Sequence, residues 1–166
     1  LDQFLADQGV PGISGVDTRA ITRILRSRGV IMGAISINES VDEALARLHK
    51  APSYDDIDFV QQVSTEQPYD WDQEGAADYK YRIVVDDYGL KYNILRILRE
   101  HGCEVTAVPS TTTADGILAR KPDGVLLSPG PGDPELLDYA VATAKGLIGK
   151  VPIMGICLGN QVLGRA

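Results

Sequence analysis

The hydrophobic positions of this chain follow two rhythms. From residue 81 onward, short apolar runs alternate with segments of helical period. The runs are YRIVVDD, CEVTAVP, GVLLS and VPIMGI, beginning at Tyr81, Cys103, Gly124 and Val151. They are rich in β-branched residues and nearly continuous in apolar character, the pattern of strands covered on both faces. In GLKYNILRILREHG, Ile94, Leu95, Ile97 and Leu98 share one helical face and Gly102 marks the stop. TTADGILARK predicts a short helix, weakened by Gly116. In DPELLDYAVATAKGLIGK, Asp133 can cap and Pro134 suits the first helical position. Leu137, Ala140, Val141, Ala144 and Ile148 then line one side, and LGNQVLGRA opens a further helix. Strand and helix alternate with short connections, which predicts an α/β fold: an open, mostly parallel sheet with flanking helices.

The earlier residues are mixed. The first eight read as the end of a helix, with Gly9 as its stop. In GVDTRAITRILRSRG, Asp17 or Thr18 caps a helix carrying Ala20, Ile21, Ile24 and Leu25, closed by Gly29. VIMGAISI predicts a strand over 30–37. Ser40 and Glu43 form a capping box before another short helix that runs to His49. Over 53–80 the periodicity fades into polar, acidic sequence. The expected organisation is therefore part of a smaller mixed α/β domain over 1–63, a linker over 64–79, and the parallel-sheet domain over 80–166. Trp71 is expected to pin the linker onto a domain.

Composition narrows the function classes. The 166 residues are 44% hydrophobic and 23% charged, an ordinary globular balance. A net charge of −7 and a pI near 4.7 argue against a nucleic-acid surface. No apolar run approaches the ~20 residues of a membrane-spanning helix, and no signal peptide is evident. The two cysteines, Cys103 and Cys157, make no disulfide framework or CxxC pair, so a reducing, cytoplasmic setting is expected.

In a parallel sheet, ligands bind off the carboxyl ends of the strands. DDYGLKYN, SPGPGDP and CLGNQ all fall at that edge. The segment GICLG has the form G-x-nucleophile-x-G, with Cys157 at its centre. A sharp strand-to-helix turn needs glycine on both flanks, because a Cβ there would clash. It sets the thiol over the first turn of a helix, where the dipole favours thiolate. In SPGPGDP, Pro129 and Pro131 lack an N–H, so within 129–132 only Gly130 and Gly132 can donate. This loop can supply half of an oxyanion hole, and the N–H of Leu158 the other half. Gln161 lies one helical turn past Cys157. Asp87, Tyr88, Lys91 and Asn93 share the rim, where such residues commonly hold a loop together. Cys103 begins a strand and reads as core. A cysteine nucleophile needs a base, yet His49 lies near a helix end in the other domain and His101 stands at a helix end expected at the opposite edge of the sheet from Cys157.

LLSPGPGDPE together with GICLGNQ resembles the class I (triad) glutamine amidotransferases. VDDYGLKYNILR and GISGVDTRAITRILRSRGVIMGAI are similar to the small, glutamine-hydrolysing subunit of carbamoyl phosphate synthetase. The resemblance implies that Cys157 attacks the side-chain amide of L-glutamine and forms a γ-glutamyl thioester. Gly130 and Leu158 would form the oxyanion hole, and Gly130, Gly132, Leu158 and Gln161 would contact glutamine. It further implies ammonia delivery to a large synthetase subunit. No cofactor is expected in this chain, with ATP, Mg and K on the large subunit. Asn160 stands where the family often has His. The family's catalytic His and Glu come well after the nucleophile, and a glutamine-binding serine lies in its N-terminal strands. The stretch therefore corresponds to the middle of such a subunit and is expected to be inactive alone.

Two alternatives stand beside this reading. One is the glutaminase of another amidotransferase, as in anthranilate or GMP synthesis, which lacks the GVDTRAITR domain. The other is a non-catalytic interaction module on the same fold. Arg19, Arg23, Arg26 and Arg28 concentrate positive charge on one helix, either a solvated face or a docking face for the large subunit.

Overall fold

A computed structural model describes residues 1–71 and 79–166. The chain divides into two compact units, Leu1–Asp56 and Ile57–Ala166. The division falls before the expected boundary at 63, because the stretch after Asp56 packs with the second unit. Val60 is fully buried in that unit's core, and the Ser64 hydroxyl accepts from the Ser110 backbone N–H. Residues 72–78 of the expected linker lie outside the described residues.

The first unit holds α1 (Asp2–Asp7), α2 (Thr18–Arg28), α3 (Val41–Leu48) and a single 3-10 turn at Tyr54–Asp56. Its caps are those the sequence predicts. The Asp17 carboxylate accepts from Ala20 N, and Ser40 and Glu43 complete a reciprocal capping box. The strand expected over 30–37 does not form. A strand exists only by pairing, and among the described residues this unit offers no second one. Val30, Ile31, Met32, Ile35 and Ile37 are all exposed.

The second unit contains α4 (Val60–Val63), β1 (Tyr69–Asp70), β2 (Tyr81–Asp87), α5 (Tyr92–Glu100), β3 (Cys103–Pro109), α6 (Ala114–Leu118), β4 (Gly124–Leu127), α7 (Asp138–Leu147), β5 (Ile153–Gly155) and α8 (Leu158–Arg165). The sheet order is β1-β3-β2-β4-β5. The last four strands are parallel, and β1 is antiparallel to β3. β1 was unforeseen, since it falls within the expected linker. It is held by a 2.6 Å bond from the Thr106 hydroxyl to Asp70, and Trp71 follows it. The Trp71 N–H donates to Val105 O, and its ring stacks on Tyr92 at 5.2 Å. Trp71 thus pins this stretch to the sheet, as its place in polar sequence suggested.

Alternate residues of the strands feed two apolar layers, as a pleated sheet covered on both sides requires. Val84, Val108, Val125 and Leu127 pack with residues of α6, α7 and α8, including Ile117, Ala144, Leu147 and Val162. Val85, Val105, Leu126 and Cys103 pack on the other face with Leu95 and Leu98 of α5. The helix expected to start at Pro134 is interrupted. Asp133 caps a 3-10 turn over Pro134–Leu136, and α7 begins afresh after Leu137. Ile148 departs from the predicted face: it has left the helix with ψ 130° and is half exposed.

Candidate active site

Parallel pairing brings the ends of β2, β4 and β5 to one rim. Asp86 pairs with Leu127, and Leu127 pairs with Gly155. The chain then makes its sharp turn. Cys157 has φ 53° and ψ −112°, in the left-handed half of backbone space that a side chain rarely enters. It is the N-cap residue of α8 and is exposed. The two flanking glycines are there for the reason the sequence suggested. A Cβ on Gly155 would lie 2.6 Å from backbone atoms of Gly159 and Asn160, and one on Gly159 would lie 2.1 Å from the carbonyl oxygen of Leu127. Strain at a residue with a reactive side chain is a recognised companion of function.

Two sets of backbone donors lie at this end of the sheet. Leu158, buried, is the first residue of α8, so its N–H has no partner within the helix. Gly130 and Gly132 lie on the loop after β4. Among the described residues none of these three N–H groups donates to a protein acceptor. The loop is packed down on the turn that follows β2. A Cβ on Gly130 would meet the Tyr88 carbonyl oxygen at 2.0 Å, so only glycine permits this approach. The loop is also tied to the elbow, since Gly159 N donates to Ser128 O at 3.1 Å and Ile156 N donates to Leu127 O at 3.0 Å. Gln161 is exposed in the first turn of α8, its N–H bonded to Cys157 O at 3.1 Å.

The remaining rim residues divide by role. The Asp87 carboxylate accepts from the N–H groups of Gly89, Leu90 and Thr65, and so holds the turn after β2. Tyr88 is fully buried, its hydroxyl donating to Asp86 at 2.9 Å. Lys91 is the N-cap residue of α5, makes no capping bond with its side chain, and is exposed. A cavity of about 400 Å³ opens between the turn after β2 and Pro131, lined also by Thr65, Tyr69 and Tyr92. Cys157 does not line it.

Sequence reasoning missed two groups. Ser128 is fully buried and bonds to three segments. Asp86 is also fully buried, and one of its carboxylate oxygens has no partner among the described residues. Burial drives its carboxyl well above the ordinary carboxylate range, against the pull of the Tyr88 hydroxyl, and the charge of Asp87 adds to the rise. Cys103 is core, as expected, and burial pushes its thiol up. His101 caps the C-terminus of α5 just before β3, at the sheet edge opposite Cys157, and His49 caps α3 in the first unit. Among the described residues no cluster of His, Cys, Asp or Glu has a metal-binding arrangement. Nor is any helix long and apolar enough to cross a membrane.

Comparison with known proteins agrees with this geometry. The family model for class-I glutamine amidotransferases matches residues 83–166, the sheet and elbow just described. A second model, for the CPSase domain of the carbamoyl-phosphate synthase small chain, matches residues 1–35. Among curated proteins, a carbamoyl phosphate synthase small chain from Xanthomonas campestris is 47% identical across 100% of this chain and 47% of its own length. One from Methanopyrus kandleri is 47% identical across 100% of this chain and 46% of its own. A chloroplastic small chain from Arabidopsis thaliana is 41% identical across 100% of this chain and 41% of its own. The chain thus spans about half the length of the relatives it matches. On the match over its sheet-bearing unit, the chain belongs to the class-I glutamine amidotransferase family.

Proposed function

We propose that this chain is the nucleophile-bearing part of the glutamine-hydrolysing small subunit of a carbamoyl phosphate synthase. The observation that carries the reading is Cys157, held at positive φ over the start of α8, on a rim where the Gly130, Gly132 and Leu158 N–H groups donate to no acceptor among the described residues. Its Sγ attacks the side-chain amide carbon of L-glutamine. The carbonyl π electrons move to oxygen, and the Gly130 and Leu158 N–H groups receive that oxyanion. The C–N bond then breaks, and the nitrogen leaves as ammonia after gaining a proton. Water hydrolyses the γ-glutamyl thioester to glutamate and restores the thiol. Gly130, Gly132, Leu158 and Gln161 hold the substrate.

The proton transfers need a His–Glu pair of the kind the resemblance implies. His101, at the end of α5, stands at the wrong edge of the sheet for this, and residues 1–166 alone are expected to turn over negligibly. Ammonia passes to a large synthetase subunit, on which ATP, Mg and K are expected. The exposed arginines of α2 are candidates for that contact. A cytoplasmic location goes with the reading, the relatives named chloroplastic being from plants.

The test is ammonia release from glutamine by the full-length protein and its Cys157→Ser variant. The parent should release ammonia and the variant should not. Undiminished release by the variant would remove Cys157 from the chemistry.

A further inference from the structure

The geometry points to Ser128 as the positioning residue that orients the Gly130 N–H for oxyanion stabilisation, an inference that rests on the glutaminase reading. Ser128 is fully buried, and each of its polar groups is used. Its N–H donates to Asp86 O at 3.1 Å, extending the β2–β4 ladder past its last strand pair. Its carbonyl accepts from Gly159 N at 3.1 Å, within the elbow. Its hydroxyl accepts from Tyr88 N at 2.8 Å and donates to Pro129 O at 2.8 Å.

The last bond matters most. The Pro129 carbonyl and the Gly130 N–H belong to one planar trans peptide group, so they point in opposite directions. Fixing the carbonyl on the buried Ser128 hydroxyl therefore turns the Gly130 N–H away from the interior. The same hydroxyl holds Tyr88, whose carbonyl is the surface on which Gly130 rests. Without it, rotation of a proline–glycine peptide about its flanking bonds meets little resistance, because glycine adds no Cβ barrier. One hydroxyl thus sets the plane of the donor and the wall behind it. Its carbonyl neighbour in the same residue ties both to the cysteine elbow. Ser128 touches no substrate in this scheme and acts through Gly130.

The expected consequence is specific to charge development. Glutamine itself gains little from an aligned oxyanion donor, whereas the tetrahedral adduct gains much. Removing one such donor costs on the order of 10²–10³ in turnover. In the full-length enzyme, Ser128→Ala should lower kcat about 10²-fold and leave KM for glutamine within about threefold. Binding of a γ-glutamyl aldehyde, which forms a tetrahedral adduct with Cys157, should weaken in parallel with kcat. Alkylation of Cys157 by iodoacetamide, which needs no oxyanion donor, should keep its parental rate. Ser128→Thr, which retains the hydroxyl, should recover most of the aldehyde affinity. Should Ser128→Ala fail to fold, Ser128→Cys reads the same comparison, its thiol being a weak hydrogen-bonding group. A folded variant that loses aldehyde affinity more than tenfold beyond any change in KM supports the assignment. Equal losses in aldehyde affinity, KM and alkylation, or no loss, overturn it. A parental enzyme that releases no ammonia would instead overturn the glutaminase reading itself.

Discussion

Asp86 gives a direct test of the buried electrostatics behind the site. Its carboxyl is fully buried, with one oxygen held by the Tyr88 hydroxyl at 2.9 Å and the other unpartnered among the described residues. Burial raises its pKa well above the ordinary value, so the folded protein keeps this proton at pH values where the unfolded chain has lost it. Stability then falls as pH rises from about 4 toward the folded-state pKa, with a slope of about 1.4 kcal/mol per pH unit for one proton. In Asp86→Asn that slope is absent, because the amide does not titrate. All other carboxylates are common to both proteins and cancel in the difference. Above about pH 4 and below the folded-state pKa, the variant should therefore gain about 1.4 kcal/mol on the parent for each pH unit. With a urea m value of about 1–3 kcal/mol/M, that is a relative midpoint shift of roughly 0.5–1.4 M. Urea unfolding followed through Trp71 fluorescence reads the sheet-bearing unit, since this residue stacks on Tyr92 and is bonded to β3. Parallel pH profiles for the two proteins would refute the argument. They would mean that Asp86 is ionised in the fold, with a partner for its second oxygen.

Two further outcomes follow from packing at the rim. Gly130→Ala places a Cβ against the Tyr88 carbonyl, a backbone wall that cannot rotate aside, so the loop must shift. Glutaminase kcat should drop by at least about 10²-fold in a folded protein, and near-parental activity would show that the loop is not the donor. A thiol reagent should label Cys157 rapidly and Cys103 only on unfolding, because Cys157 is exposed whereas Cys103 is 6% exposed with its thiol pKa raised by burial. Two fast thiols per native chain would contradict the placement of β3.

What the sequence disclosed tracks how local each signal is. Strands β2 to β4 were legible because burial of their central residues on both faces leaves continuous apolar runs, whereas β5, with Met154 exposed, was legible from its apolar run alone. The caps at Asp17 and Ser40 were legible because a cap and its N–H partner are three residues apart. The elbow belongs to the same class, since the clash that excludes a Cβ at Gly155 comes from atoms within the same turn. The segment over 30–37 was misread for the converse reason. Its apolar run is real, but a strand also needs a partner, and no stretch of sequence reports its own partner. β1 was hidden because two residues show no period, and what holds them is a hydroxyl on Thr106.

The site shows the same division more sharply. Cys157, Gly130 and Leu158 carry their chemistry on their own backbone and side chains, so motif and spacing point to them. Ser128 does not. Within SPGPGDP it reads as one more turn residue, because its hydroxyl reveals a role only against Tyr88, which sits 40 positions earlier in the chain. Asp86 is harder still, as a charged residue at the end of an apolar run reads as a strand emerging into solvent. The parallel register instead carries β2 deeper, past Leu127 to the Ser128 N–H. The residues that perform the proposed reaction were therefore visible from sequence, while those that hold them in place became visible only when the sheet brought distant positions into register. Supporting residues, unlike the nucleophile, are defined by their neighbours, and their replacement should alter kcat without altering the reactivity of Cys157.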